Sequence, residues 1–268
     1  MNACIFAGPT LPPGDPARRQ AATTWLPPAR HGDVHRAVAR LRPRAIGIVD
    51  GYFESVPPVW HKEILWAMRQ GVHVFGAGSM GALRAAELAA FGMRGVGVVF
   101  EAYRDGVLDG EPFEDDDEVA LVHGPADSGY IAVSEAMVNI RCTLAAAERA
   151  GVIDARTRER LAGRAKALFF PERSYARLLE EAPLPALEAW LPAGRVNRKR
   201  EDAVAMLEAM HAFLDTDPGP AAADFHFEHT TLWERASAQM LPEAAEEISE
   251  LHAICRAYVE RNGADRHG

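Results

Sequence analysis

Three short runs, residues 3–8, 45–49 and 72–75, are almost free of polar side chains, and each is followed by a turn or loop and then a helical pattern. A strand with one wet face alternates apolar and polar residues. A strand covered on both faces reads as a continuous apolar run, and such strands belong to parallel sheets with helices packed on either side. The predicted fold class is therefore α/β: a doubly wound, mostly parallel sheet followed by a helical domain.

The remaining elements fill in around these runs. Residues 23–26 read as a short strand before Pro27 and Pro28, and Asp33 stands where it can cap a helix over residues 34–41. A helix is predicted over 59–70, and another runs from the turn at 76–78 to Phe91. Residues 95–100 and 118–122 look like further strands. Beyond them the pattern is helical over 133–151, 154–169, 171–181 and 198–214. A Pro/Gly/Ala-rich linker then covers 215–224, and amphipathic stretches cover 232–240 and 242–261. The expected division is an α/β domain over 1–130, a helical domain over 131–215, and a linker with terminal helices over 216–268.

Composition narrows the function classes. A net charge of −9 argues against a nucleic-acid partner or an anionic membrane surface. No stretch approaches the ~18 apolar residues of a membrane span, and no leader pattern opens the chain, so the expected compartment is the cytoplasm. Cys4, Cys142 and Cys255 are scattered and form no CxxC pair, which fits a reducing compartment and speaks against a structural zinc site. No cofactor and no metal are expected.

The segment 72–87 carries the most chemistry, and it supports three readings. Gly76, Gly78 and Gly81 form G-x-G-x-x-G between a strand and a helix, with Glu101 after the next predicted strand, as in a dinucleotide site. Against this, the motif follows about three earlier strands rather than opening the fold. Ala77-Gly-Ser-Met-Gly81 also approximates a nucleophile turn, in which Ser79 attacks and the N–H groups of Met80 and Gly81 receive an oxyanion. Third, Ser79 caps the helix and the glycines serve close packing. The helix after Ser79 is apolar nearly all round, apart from Arg84 and Glu87, which are expected to pair or to face the site.

In a parallel sheet, chemistry collects at the carboxyl ends of the strands. Asp50, Ser79, Glu101 and His123 each fall at or past a predicted strand end. Ser79, His123 and Asp50 can thus be read as nucleophile, base and orienting carboxylate. The carboxylates of Asp33, Glu87 and Glu101 are alternative bases or substrate contacts. His31 and His35 have H-x-x-x-H spacing but no evident third ligand, and the acidic run 114–118 reads either as a solvated loop or as a magnesium site.

Several blocks in order resemble the TfuA-like proteins: AIGIVDG at 45–51, VWHKE at 59–63, SMGALRAAEL at 79–88, FGM at 91–93, FEAYRDG at 100–106 and DDDEVALVHG at 115–124. PPA at 27–29 and GDV at 32–34 fit the same pattern, and the likeness extends roughly over residues 3–145. The resemblance implies an accessory protein of YcaO enzymes, which use ATP to activate a peptide amide so that sulfur replaces its oxygen. It implies hydrolysis of a thiocarboxylated ThiS-type sulfur-carrier protein to release sulfide, and help in recruiting the peptide substrate. The family's serine-methionine-glycine block falls on Ser79, Met80 and Gly81, and Asp50, His123, Arg84 and Glu87 also lie in family blocks. Two other classes stand beside the hydrolase: a non-catalytic adaptor of a YcaO enzyme, and a nucleotide-binding protein using the 76–81 turn.

Overall fold

The computed structural model describes residues 2–19, 23–53, 56–180 and 183–240. Five parallel strands form one sheet in the order β2-β1-β3-β4-β5: β1 (Ala3–Phe6), β2 (Thr23–Leu26), β3 (Ala45–Ile48), β4 (His73–Gly76) and β5 (Arg94–Gly95). The chain leaves β1 toward β2 on one side and returns past it to β3 on the other. The boundary between β1 and β3 is therefore a topological switch point, where the loops after the two strands diverge and leave a crevice. The α/β, mostly parallel architecture read from the apolar runs is the one observed.

Alternate residues of these strands enter two cores. Cys4, Phe6, Ile46, Ile48 and Val74 face α1 (Asp33–Leu41), α2 (His61–Arg69) and α3 (Met80–Leu88). Ala3, Ile5, Ala45 and Phe75 face Ala203, Met206, Leu207 and Met210 of a much later helix, α9 (Arg198–Asp215). The helices between are α4 (Val98–Asp105), α5 (Met137–Arg149), α6 (Ala155–Ala167), α7 (Tyr175–Leu179) and α8 (Pro185–Gly194), the last not anticipated from the sequence. Helices α5 to α8 share a third core around Met137, Ile140, Leu144 and Leu161. Of the helices after residue 130, α9 is the layer on the sheet's second face, whereas α5 to α8 pack around this core of their own.

Two predicted strands are not strands. Over 95–100, only Arg94–Gly95 pairs with β4; Gly97 then turns with φ +94° and α4 begins at Val98. The Asp202 carboxylate fixes that start by accepting the Val99 N–H at 2.7 Å. Val99, Phe100 and Ala102 are buried on one side of a helix, a pattern that a short apolar run cannot distinguish from a strand. Over 118–122 the chain makes a 3-10 turn at Asp116–Glu118 and then runs irregularly to His123, which forms an isolated bridge with Ala132.

The predicted linker is a strap. It is fastened to the sheet's lower edge by Arg44 to the Pro218 carbonyl (2.9 Å), Ala221 N–H to the Gly71 carbonyl (2.9 Å) and Arg69 to the Ala223 carbonyl (3.0 Å). It leads to α10 (Thr231–Met240), whose Trp233 packs near Trp60 and Trp66. The helical stretch expected over 242–261 lies outside the described residues. Among the described residues, no helix is long and apolar enough to cross a membrane.

Candidate active site at the serine turn

The glycines of the turn are explained by packing. A Cβ on Gly81 would fall on the Ile48 carbonyl oxygen, and one on Gly76 would fall on the Gly81 carbonyl oxygen, so α3 starts in direct backbone contact with the ends of β3 and β4. Gly78 has φ +70°, and a Cβ there would lie 2.6 Å from the Lys199 carbonyl oxygen. The main chain at the start of α9 thus occupies the space a pyrophosphate would need over the second glycine, which removes the basis of the dinucleotide reading. Glu101, its ribose ligand in that reading, lies in the first turn of α4 with its side chain exposed.

Ser79 is 2% exposed, and its hydroxyl makes no capping hydrogen bond, so the cap reading fails on geometry. Its carbonyl accepts the Ala82 N–H at 2.9 Å, which is helix formation by the backbone alone. Gly81 donates its N–H to the Val49 carbonyl at 3.1 Å. That bond withdraws Gly81 from the predicted oxyanion pair and leaves the Met80 N–H. The Met80 side chain packs over Gly51, with its Cγ 2.7 Å from where a Cβ on that glycine would be. The serine turn and the Asp50-Gly51 turn are therefore adjacent.

Asp50 sits in the switch-point crevice and ties its two loops together. Its carboxylate accepts the Gly8 N–H (2.8 Å), the Thr10 N–H (3.0 Å) and the Thr10 hydroxyl (2.6 Å). It is a loop clamp whose hydrogen bonds go to Gly8 and Thr10, so the orienting hydrogen bond expected from it to the imidazole comes from elsewhere. That role falls to a carbonyl: His123 Nδ1 lies 2.8 Å from the Gly124 oxygen. A carbonyl only accepts, so Nδ1 carries the proton and Nε2 of the neutral ring keeps its lone pair. The ring lies 5.7 Å from both the Tyr52 and Tyr130 rings. Burial holds its pKa below the ordinary value, helped by the charge of Lys199 and opposed by the Gly124 carbonyl and by Asp50.

The other predicted site residues are structural. Arg84 donates to the Val59 carbonyl (3.0 Å) and to Glu87 (2.6 Å), and Glu87 also meets His61 at 2.7 Å, so this trio fastens α3 to the start of α2. Asp33 pairs with Arg36 and accepts the Arg30 N–H at 3.0 Å, away from the serine. It does not cap α1; Glu63 does. The acidic run is solvated in its first part, where Glu114, Asp115 and Asp116 are exposed, and tied down in its second. Glu118 is held by Arg141 (2.8 Å) and Lys166 (3.0 Å), and Asp117 by Lys166 and the buried Arg173. Among the described residues no group of His, Cys, Asp or Glu is arranged to hold a metal, and His31 and His35 pack on tryptophans instead.

Sequence reasoning passed over Lys199 and Glu63. Lys199 is wholly buried at the start of α9, with Nζ donating to the Val119 carbonyl at 2.7 Å. Residues 199, 203, 206, 210 and 214 form one apolar stripe in which the lysine holds the first place. That spacing was visible, and it marks a charged residue on the inward face. The RKRED run at 198–202 concealed it by resembling a solvated helix start.

A parallel sheet with helices on both faces, and a serine at a strand-to-helix corner beside the Asp50 clamp, defines an α/β protein. Residues 50–174 match the family model described as TfuA-like protein, a family associated with YcaO enzymes and peptide thioamidation, and over that segment the chain is similar to it. The match begins later than the resemblance read from the sequence blocks and runs further, through α5 and α6. No curated protein matches the chain.

Proposed function

We propose that this protein hydrolyses the C-terminal thiocarboxylate of a ThiS-type sulfur-carrier protein, releasing sulfide to a YcaO partner, and that it helps bring the target peptide to that partner. The observation that carries the reading is the Ser79 hydroxyl at a strand-to-helix corner, not spent on capping its helix, with His123 in the tautomer that leaves the Nε2 lone pair to act as a base.

In this reading Ser79 Oγ attacks the acyl carbon as its proton passes to His123, and the oxyanion meets the Met80 N–H. The proton is then given to sulfur, the C–S bond breaks, and HS⁻ leaves an acyl-serine. Water, deprotonated by the same imidazole, attacks the ester. The C–Oγ bond breaks, Oγ recovers its proton, and the net change is thiocarboxylate plus water to carboxylic acid plus HS⁻. No cofactor enters any step. The corner is shut, with Ser79, Asp50 and Thr10 each at most 3% exposed, so in this reading the carrier's tail enters by displacing the chain that covers it.

That same closure favours the second reading, a non-catalytic adaptor. One experiment separates the two: thiocarboxylated carrier is incubated with the wild type and with Ser79→Ala, and sulfide and carrier mass are followed. Because the hydroxyl makes no cap, the variant is expected to fold with a loss of no more than about 1 kcal/mol. Its sulfide release is expected to fall by about a thousandfold or more. Undiminished turnover would refute the serine mechanism.

A further inference from the structure

Lys199 has no part in the steps above, and its setting is unusual for a lysine. It is 2% exposed, and its Nζ has the Val119 carbonyl as acceptor, at 2.7 Å. Among the described residues it enters no salt bridge, although the fields of Asp50 and Glu135 reach it and oppose the downward pull of burial on its pKa. An ammonium has three donors, and burying one without a carboxylate against it is costly. The nearby groups do not fill the need. Asp50 is engaged by Gly8 and Thr10, and Glu135 by the Ala136 N–H and Asn139. The corner's other cation, Arg18, is committed to the Leu11 carbonyl (2.7 Å) and the Ala7 carbonyl (3.2 Å). Lys199 is thus the cation beside the serine turn with donors to spare, and its own backbone lies against Gly78.

We propose that Lys199 is the anion-binding group of the serine site, taking the carboxylate or thiocarboxylate end of a polypeptide chain beside Ser79. The proposal rests on the hydrolase reading for its substrate class. A thiocarboxylate is an anion and resists an incoming alkoxide. A fixed ammonium against its sulfur or oxygen neutralises that charge and leaves the acyl carbon open to Ser79 Oγ. After HS⁻ has left and water has cleaved the ester, the same ammonium holds the product carboxylate until release. Fixed charge of this kind acts most strongly where water is excluded, as it is here.

The test is a binding experiment that needs no turnover. A ThiS-type carrier ending in its free carboxylate, and the same protein ending in a carboxamide, are titrated by calorimetry into wild type, Lys199→Gln and Ser79→Ala. Wild type is expected to prefer the carboxylate form by about ten- to a hundredfold, the range of one charge-assisted hydrogen bond. Lys199→Gln is expected to bind both forms alike, with Lys199→Met as the second variant should the glutamine fail to fold. Ser79→Ala is expected to keep the preference. Equal wild-type binding of both forms, no binding of the carboxylate form at millimolar concentration, or a preference that survives loss of the lysine would each overturn the proposal. Turnover retained in Ser79→Ala would instead refute the serine mechanism and leave Lys199 to be judged on binding alone.

Discussion

Removing the Glu63 carboxylate tests how the starts of α1 and α2 are held, because four backbone N–H groups converge on it. Oε1 accepts from Gly32 (3.0 Å) and Trp60 (2.9 Å), and Oε2 from Val34 (3.0 Å) and His35 (3.2 Å). One buried side chain thereby caps both α1 and its own helix, α2. In Glu63→Ala all four donors lose their acceptor. Gly32, Val34 and His35 are buried and bear the full desolvation cost of about 1–3 kcal/mol each. Trp60 is half-buried and can turn to water, which reduces its cost to about 0.5–1 kcal/mol. The sum is a loss of about 3.5–10 kcal/mol, a large share of the ~5–15 kcal/mol that holds a typical domain. Glu63→Gln keeps one oxygen and should lose about half as much. Urea unfolding followed by circular dichroism gives the three values. A loss below about 1 kcal/mol in the alanine variant would show that the carboxylate is not the cap of α1. The pH dependence is a second check. Burial pushes the Glu63 carboxyl from 4.5 up to about 7, so the folded state holds its proton more tightly than the unfolded chain does. Its contribution is full below 4.5 and fades as pH rises through about 7, and Glu63→Gln should flatten that slope.

Gly78→Ala places a side chain at φ +70° and against the Lys199 carbonyl, so a loss of about 2–3 kcal/mol and a lower melting temperature are expected. An unchanged melt would mean that the start of α9 yields freely. Sulfide release by the wild type should fall as pH drops through the His123 pKa, which burial holds below 6.5, and His123→Gln should abolish that limb. If the limb persists in the variant, the base lies elsewhere. Asp202, pushed up from 3.8 to about 6 by burial, contributes stability that is full below 3.8 and lost as pH rises through about 6; urea midpoints for Asp202→Asn across that window should show a weaker dependence on pH.

What was legible in the sequence was whatever repeats with a period. The apolar runs gave β1, β3 and β4, and the helix stripes gave α2, α3, α5, α6 and α9 to within a few residues. Residues 95–100 misled because six residues are too few for the two periods to separate, and the deciding group, Asp202, is a hundred positions away. The serine turn was found because glycine spacing is local. Asp50 and Ser79 do follow β3 and β4, whereas His123 was expected at the end of a strand that does not form, and the partners of all three were not foreseeable. The Asp50 clamp depends on Gly8 and Thr10, and the His123 tautomer on its neighbour's carbonyl. Helix α9 as cover for the sheet was hidden as well, because nothing local distinguishes a helix that packs on strands two hundred residues earlier from one in a separate bundle.

The limits of the family match bear on what can act alone. The matched segment, 50–174, begins after β1, β2 and β3 and ends before α9. By itself it holds two of the sheet's five strands, one of them only two residues long, and no cover for the second face. It is therefore not a folding unit. Ser79 and His123 lie inside it, yet the carboxylate at its first residue clamps Gly8 and Thr10, outside it on one side. The lysine that closes over Gly78 lies outside it on the other. A core substitution such as Met206→Ala, under the sheet and far from any substrate, would loosen α9 and with it the roof of the serine turn. Stability and the proposed chemistry at this corner are thus coupled through one helix. Activity lost on truncation after residue 174 would follow from an opened corner, even with every residue of the matched segment intact.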